Sequence, residues 1–391
     1  AGDRRDAASD ADALDVGTQE TPNVFPEAAL SSDASSEAVL SWDPGDAMGP
    51  GPDSAIAACG PDSVANITLG TASAGSAFDP LGYAPYAIDE CTLAYLRVTG
   101  TGQSSGELRL RLLASGSETL LAAASDQPGR PSIAGSLVAW EAVVAAKRVV
   151  RVSHAGQITT LAGPFDHAGE PHCTSDAVVF TAWLSPDDTG DTDVYVYLPV
   201  SGQVVAIATG PGQQRFADIS SSFVAVTDFS EDPTGAFSPT THRNADVVVY
   251  DRKTLTRTVR HLPGKQAFPM LGATSSIGYL DWGAVNPEPK FSAYTIRAGA
   301  ISSDPTTDRN VKGAGQVTVY TPYVRPSVLG DWIEWVDESS GGGLFRAPID
   351  RPLSPTSTLQ GYRLLGPMAG RPLSVVASIG TSASILHGVA W

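Results

Sequence analysis

Residues 167–173, HAGEPHC, bring two imidazoles, a carboxylate and a thiol together within one short stretch. Histidine and glutamate often move protons in enzymes, and histidine also binds metals. His172 and Glu170 are therefore candidates for a site. The chain holds six histidines in all, so a centre with three histidine ligands would need others from distant segments. Enzyme activity is left uncertain by this pattern, and a non-enzymatic role is favoured.

Carboxylates crowd a second stretch, LSPDDTGDTD, where Asp187, Asp188, Asp191 and Asp193 lie around a glycine. Calcium is bound by about six to eight oxygens, so this loop is a candidate calcium site. It lacks the spacing and the terminal glutamate of an EF-hand. The alternative is that Asp193 caps a turn, as we expect Asp246 to do in the next repeat. Calcium is therefore the one cofactor suggested, and the other reading is that there is none.

Positive side chains recur beside prolines, in the Arg-Pro pairs that begin at Arg130, Arg325 and Arg371. Arg215 and Lys265 lie close to the corresponding position in other repeats. Arginine binds a carboxylate through two parallel hydrogen bonds, so a ring of arginines would attract an acidic peptide, protein or glycan. The alternative is structural: each arginine pairs with an acidic residue of a neighbouring unit or stacks on a tryptophan.

The elements that would position these residues follow from a repeated line, RPSIAGSLVAW at 130–140 and RPSVLGDWIEW at 325–335. Each copy predicts a short strand, a turn, and a second strand ending in an aromatic residue, here Trp140 or Trp335. Two more alternating strands usually follow, as in residues 193–210. Related lines start at the anchor positions Pro85, Pro131, Pro171, Ala217, Pro269, Pro326 and Pro372.

Four antiparallel strands per repeat predict an all-β protein, because one such sheet alone would leave both faces exposed. Stacking the sheets radially buries those faces, which is the β-propeller solution. The anchors predict seven blades. The copy at Pro372 is short, so six blades is the alternative. We expect the segment ANITLG, residues 65–70, and its neighbours to supply the missing outer strands and close the ring.

This repeat resembles the TolB-like propeller repeats of exported bacterial proteins. There the line runs roughly Pro-x-Ile-x-Gly-x-x-Val-x-Trp, then Asp-Ile-Tyr-Val-Tyr-Asp, then a Leu-Thr strand. The match covers residues 85–391 and is clearest at 130–251 and 325–347. The resemblance implies the fold but no activity, because binders, scaffolds and enzymes all use such repeats.

The topology also predicts where a site lies. If the strands of a blade are lettered A to D outward from the axis, the B–C and D–A connections emerge on one face. The residue before each anchor is then expected to line the channel mouth on that face. The loops 184–193 and 230–246 are B–C connections there and would add selectivity. The expected mouth residues are Ala84, Arg130, Glu170, Phe216, Phe268, Arg325 and Arg371.

Composition limits the partners. The net charge is −17, and an acidic surface repels nucleic acid. No run of eighteen apolar residues exists, so no transmembrane segment is predicted. Residues 1–54 are rich in Ala, Asp and Ser and lack a hydrophobic period, which predicts a disordered acidic tether ahead of a propeller at 55–391. Such a tail is typical of a spacer that follows a cleaved signal or a lipid anchor.

The three cysteines form no disulfide framework. Cys59 and Cys91 would pair in an oxidising compartment, or all three would remain thiols. Cys173 lies in an apolar strand and is expected to be inert.

Together these features predict an exported, non-enzymatic propeller in the periplasm, on the outer membrane surface or secreted. It would act as a binding or scaffold module that recognises an acidic ligand at the channel face. The alternative is a carbohydrate-active enzyme, a lyase of acidic polysaccharides that uses a His–Tyr–metal cluster in the same channel.

Overall fold

A computed structural model of the chain describes most of the predicted propeller. The segment 1–54, Cys59, Ala84, Arg325, Arg371 and the pair Asp187 and Asp188 lie outside the described residues. No helix in the described part of the chain has the length and apolar character needed to cross a membrane. The described residues are 64, 67–71, 85–98, 106–161, 163–185, 190–231, 244–272, 275–283, 293–311, 317–318, 326–329, 332–336, 343–349, 356–358, 364–369, 374–379 and 383–389.

The strands form antiparallel sheets of four, as predicted, and the first strand, β1 (Thr68–Thr71), precedes the blades. Blade 1 holds β2 (Tyr86–Asp89), β3 (Thr92–Arg97), β4 (Glu107–Leu112) and β5 (Glu118–Ala122). Blade 2 holds β6 (Gly129–Ala134), β7 (Leu137–Val144), β8 (Lys147–His154) and β9 (Gln157–Leu161). Blade 3 holds β10 (His167–Cys173), β11 (Val178–Trp183), β12 (Thr192–Leu198) and β13 (Gln203–Ala208).

The next three blades continue the same meander. Blade 4 holds β14 (Gln214–Ile219), β15 (Phe223–Asp228), β16 (Asp246–Asp251) and β17 (Arg257–Arg260). Blade 5 holds β18 (Gln266–Leu271), β19 (Ser276–Asp281), β20 (Ala293–Ala300) and β21 (Arg309–Asn310), and β22 (Val317–Thr318) also pairs with β20. Blade 6 holds β23 (Ser327–Leu329), β24 (Trp332–Val336), β25 (Leu344–Pro348) and β26 (Thr356–Thr358).

The last sheet contains strands from both ends of the chain. Its strands β27 (Leu364–Ala369), β28 (Ser374–Ile379) and β29 (Ala383–Val389) are joined by β1, with Thr68 opposite Ile385. The innermost strands contact one another in the order β2, β6, β10, β14, β18, β23 and β27, and β27 contacts β2. Each sheet therefore packs against a sheet on either side.

The inner strand of this last sheet corrects one expectation. The line that starts at Pro372 was expected to be strand A, but strand A is β27, and Pro372 lies in the connection from β27 to β28. The sequence pattern places the repeat one strand late, because the β27 sequence LLGPMA carries its proline without the usual arginine and aromatic spacing. The connection whose sequence includes Arg371 therefore joins strands A and B, and not strands D and A.

Aromatic residues fill the space between the sheets. The side chains predicted to end the second strands, among them Trp140, Phe180 and Tyr279, are fully buried. Trp183 is buried beside them, and Phe180 stacks on Tyr195 with ring centroids 5.9 Å apart. Large flat side chains suit this position, because neighbouring blades splay apart with distance from the axis and leave a widening gap to fill.

A buried ion pair joins the outer parts of blades 4 and 5. The guanidinium of Arg260 on β17 lies 2.6 Å from Oδ1 of Asp308, and both side chains are completely buried. Arg260 also donates to the carbonyl oxygens of Ala300 and Ile301, and the hydroxyl of Tyr279 donates to Asp308. The polar atoms of this pair are thus largely satisfied inside the protein.

We expect Asp308→Asn to lower the free energy of unfolding by about 3–5 kcal/mol, because it leaves the Arg260 charge buried without its partner. Chemical denaturation at neutral pH measures this loss. The control is Arg257→Met on the same strand, whose half-exposed side chain pairs with Asp228 at 3.3 Å and whose loss should cost less than about 1 kcal/mol. Equal losses in the two variants would contradict the assignment.

Candidate functional site

The backbone bends at the position expected to line the channel mouth. Arg130, Glu170, Phe216 and Phe268 have positive φ values of 44°, 56°, 55° and 57°, and the register of each inner hairpin shifts there. Each is therefore a β-bulge. A non-glycine residue in this conformation costs about 1 kcal/mol, so its surroundings must hold it. The bulge turns these side chains sideways, toward the neighbouring blade.

In three of these bulges, those at Glu170, Phe216 and Phe268, the backbone N–H donates to an acceptor on the preceding blade. The amide of Glu170 donates to Oε1 of Glu141 on β7 over 2.7 Å. The amide of Phe216 donates to Oε2 of Glu170 over 3.1 Å, and that of Phe268 donates to the hydroxyl of Thr227 over 3.0 Å. Successive blades are thus joined through the same backbone position.

Glu170 is the centre of this arrangement. Its Oε1 accepts from Nη2 and Nε of Arg215 at 2.6 and 3.2 Å, and its Oε2 accepts from the Thr181 hydroxyl at 2.9 Å. Nη1 of Arg130 lies 3.5 Å from Oε1 and donates to Glu141 over 2.9 Å. We call these five residues, Arg130, Glu141, Glu170, Thr181 and Arg215, the clasp.

The electrostatics of the clasp favour an ionised carboxylate. Burial by itself raises the pKa of Glu170, but Arg215, Arg130 and the hydrogen bonds outweigh it and bring that pKa down to about 2. Relative exposure is 1% for Glu170, 7% for Arg130 and 4% for Arg215. The charges of the clasp therefore balance one another inside the protein.

The predicted site residues are thus only partly brought together. Arg130, Glu170 and Arg215 meet, but in the interior, and Arg215 also lies over the Trp183 ring at 5.0 Å. Lys265 is buried, with its ammonium 4.3 Å from the Trp282 ring centroid. This arrangement corresponds to the structural alternative for the arginines. Their binding of a ligand stays a prediction.

His172 is placed at another inter-blade contact. Its side chain is 35% exposed, and its Nδ1 lies 2.8 Å from Oδ1 of Asp218, without the alignment of a hydrogen bond. The other oxygen of Asp218 accepts from the amide of Leu271 in blade 5, over 2.7 Å. The recorded contacts of His172 therefore link blade 3 to blade 4. A lyase would require a tyrosine and a metal beside it, and that hypothesis stays untested.

The aspartates of the calcium hypothesis differ in their surroundings. Asp191 is exposed, and Asp193 is buried and accepts from the Tyr195 hydroxyl at 3.2 Å and the Gly210 amide at 3.4 Å. Burial raises the pKa of Asp193 to about 6. Its hydrogen bonds fit the turn-capping alternative. The calcium site stays a prediction, since Asp187 and Asp188 are not among the described residues.

Blades 3, 4 and 5 have adjacent connections between strands B and C on the B–C face. They comprise residues 184–191, 229–245 and 282–292, of which the last two are the longest B–C connections, and we call the three together the lip. At its edge Asp246 lies 3.0 and 3.1 Å from Nδ1 of His261 through its two oxygens. The hydrogen bond to Asp246 raises the pKa of His261, and burial raises the pKa of Asp246. Glu231 completes a group of three potential metal ligands.

Sequence reasoning missed several of these residues. Glu141 and Thr181 lie ten residues after the anchor positions 131 and 171, so a polar residue recurring inside an apolar strand was a usable signal. Glu231 and His261 carried no such signal, because they approach each other only through the pairing of β15, β16 and β17.

Comparisons with solved structures agree with this fold. An acylaminoacyl peptidase from Pyrococcus horikoshii aligns with a TM-score of 0.58 and 11% identity, over 80% of this chain and 52% of that one. The propeller domain of the Trilobed protease from Pyrococcus furiosus, described as having an open velcro topology, aligns with a TM-score of 0.57 and 9% identity, over 78% of this chain and 94% of that one. The chain is a β-propeller.

These likenesses show the fold alone, and the chain spans about half the length of the acylaminoacyl peptidase. A TolB from Acinetobacter baumannii aligns with 15% identity over 70% of this chain and 65% of that one, with a TM-score of 0.46 that is too low to carry an argument. No protein-family model and no curated protein matches the chain. Membership of the TolB-like family therefore stays a prediction.

We expect Glu170→Gln to lower the free energy of unfolding by about 3–5 kcal/mol at neutral pH, because it removes the carboxylate that pairs with the buried Arg215 guanidinium at 2.6 Å. The folded pKa of Glu170 lies below the ordinary value of 4.5. Its ionised form thus stabilises the fold above about pH 4.5, and this contribution is lost as the pH falls toward about 2. The variant should show a shallower acid decline in urea titrations.

The matched control is Glu107→Gln, which removes a partly exposed carboxylate 2.6 Å from Arg109 and should cost less than about 1 kcal/mol. A Glu170→Gln protein as stable as the parent between pH 5 and pH 8 would show that the clasp contributes nothing through its charge.

We expect Asp193→Asn to raise the free energy of unfolding at pH 7 by about 1–2 kcal/mol. The pKa of Asp193 rises from 3.8 to about 6 on folding. Stability therefore declines as the pH rises through this interval, and the amide removes the decline. Thermal unfolding across this range tests it, with Asp166→Asn as the control. A destabilised Asp193→Asn protein would instead indicate that the charge is needed, as in a calcium site.

Proposed function

We propose that this chain is a binding or scaffold propeller that works outside the cytoplasm and captures its ligand at the lip. Cys91 is disulfide-bonded, and Cys173 is a free thiol whose pKa burial raises to about 12. Disulfides persist in oxidising compartments, which supports an exported protein. Cys59, the one cysteine outside the described residues, is the partner of Cys91 in this proposal.

The proposal includes closure of the ring by the N-terminal strand, which joins the last sheet beside the six blades. The pairing of β1 with β29 supports this closure, in contrast to the open topology described for the Trilobed protease propeller. A Cys59–Cys91 disulfide would tie the segment before β1 to blade 1, next to the closing sheet. A ring fastened in this way is a rigid platform for its connections.

The observation that carries the proposal is the difference between the two ends of the blades. On the B–C face, blades 4 and 5 carry connections of seventeen and eleven residues, 229–245 and 282–292, and 184–191 of blade 3 lies next to them in the order of blades. On the opposite face the longest connection within one of the six blades, 301–308, has eight residues, and the A–B connections such as 135–136 are shorter still. Connections that outgrow a repeat are where binding residues are usually added.

The charge of the lip indicates the kind of ligand. The connection 184–191 contains three aspartates and no lysine or arginine, and Asp193, Glu231 and Asp246 lie at the described edges. Arg130 and Arg215 are paired with Glu141 and Glu170 inside the protein, and Arg371 lies in the sequence between strands A and B of the last sheet. We therefore propose a cationic segment of a partner protein as the ligand. The acidic ligand predicted from the arginines now depends on Arg325.

Polymers of defined charge test this proposal on the full chain immobilised on a sensor. We expect saturable capture of polylysine that weakens with salt, because salt screens exposed charges, and little capture of polyglutamate or polygalacturonate. The triple variant Asp187→Asn, Asp188→Asn, Asp191→Asn should lose most of the capture. The control triple Glu90→Gln, Asp251→Asn, Asp304→Asn removes as much charge on the opposite face and should retain it.

Equal losses in the two triple variants would show only a general effect of net charge and would overturn the lip as the site. Capture of the acidic polymers instead of polylysine would support the acidic ligand, and Arg325→Ala would then be the next variant.

A further inference from the structure

Three potential metal ligands converge on the B–C face of blade 4 from three neighbouring strand ends. Asp246 begins β16, His261 directly follows β17, and Glu231 lies just beyond the end of β15. Arg260 is the cross-strand partner of Val247, so the next residues outward, Asp246 and His261, face each other across the sheet. The backbone that carries Asp246 and His261 is therefore fixed by strand pairing.

The distances suit one small cation. One ligand atom from each of Glu231, Asp246 and His261 lies within 4.8 Å of the others, and Nδ1 of His261 is 3.0 and 3.1 Å from the oxygens of Asp246. Zinc binds nitrogen and carboxylate oxygen at about 2.0–2.2 Å, so two ligands of one tetrahedral ion are roughly 3.4 Å apart. Glu231 and His261 are exposed and can close the remaining gap by changing rotamer.

The surrounding charge also favours a cation. Asp228, the cross-strand partner of Asp246, is a third carboxylate beside the group, and its one recorded ion pair is with Arg257 at 3.3 Å. One imidazole shared by several carboxylates leaves an excess of negative charge, which a divalent ion would neutralise.

The geometry points to a zinc site formed by Glu231, Asp246 and His261 at the edge of the lip. An imidazole together with carboxylates suits zinc better than calcium, which prefers oxygen ligands alone. Three protein ligands leave at least one coordination position for water or for a ligand oxygen. This site is distinct from the aspartate loop at 187–193, and its occupation does not depend on the polymer binding proposed above.

Calorimetric titration of the untagged full chain with zinc chloride, after removal of metals with EDTA, tests the site. We expect one zinc ion per chain. His261→Gln and Asp246→Asn should each weaken binding by at least about tenfold, the scale on which loss of a ligand-shell residue acts. His261 is 66% exposed, so its replacement should leave thermal unfolding in EDTA unchanged.

The control is His154→Gln, which removes a histidine from the end of β8 in blade 2 and should bind zinc like the parent. Cobalt is a second probe, because its visible absorption reports nitrogen and oxygen ligands directly and should disappear in His261→Gln. The proposal is overturned if the parent shows no saturable zinc binding, or if His261→Gln binds zinc as tightly as the parent does. Calcium binding that is indifferent to His261 would also overturn it.

Discussion

The carboxylate of Glu170, buried between three blades, is the interaction on which the ring depends. A charge in the protein interior is unfavourable unless opposite charges and hydrogen bonds replace its water. Here Arg215 supplies two hydrogen bonds, Thr181 and the Phe216 amide supply two more, and Arg130 lies close by. These partners come from blades 2, 3 and 4, so satisfying one carboxylate fixes the relative position of three sheets.

A buried ion-pair network of this kind contributes more to fixing one arrangement of the blades than to the stability of the fold. Apolar contacts between blades tolerate small shifts, since one aliphatic surface packs on another in several ways. A buried ion pair does not tolerate them, because a shift of an ångström leaves a charge unpaired. The Arg260–Asp308 pair applies the same constraint farther from the axis, between blades 4 and 5. The clasp lies near the propeller axis and the Arg260–Asp308 pair lies farther from it. Together these polar contacts fix both the spacing and the angle of adjacent blades.

The fold could be predicted largely from the sequence, because the repeat period, the alternating strands and the buried aromatics such as Trp140 each depend on local residues. The surroundings of the arginine side chains could not be predicted in this way. Whether Arg130 faces the channel or the next blade depends on one bulge, and a positive φ at a non-glycine residue leaves no trace in the sequence. The last repeat was misplaced for a related reason, because the strand that contains Pro367 lacks the polar and aromatic markers of the other copies.

The clasp and the lip have different roles in the proposed function: the clasp holds the blades in place, and the lip binds the partner. Because the inner strands hold their charged residues in mutual contact, the ring is rigid without any ligand, and its strand ends are held at fixed separations. Side chains at those ends are thus placed by the sheet, as Asp246 and His261 are by the pairing of β16 with β17. A site needs little reorganisation when its donors stand on such strands, and less of the binding free energy is lost to ordering them. In the proposed function the interior arginines stabilise this platform, and the carboxylates and the imidazole at its edge are the groups that contact the partner.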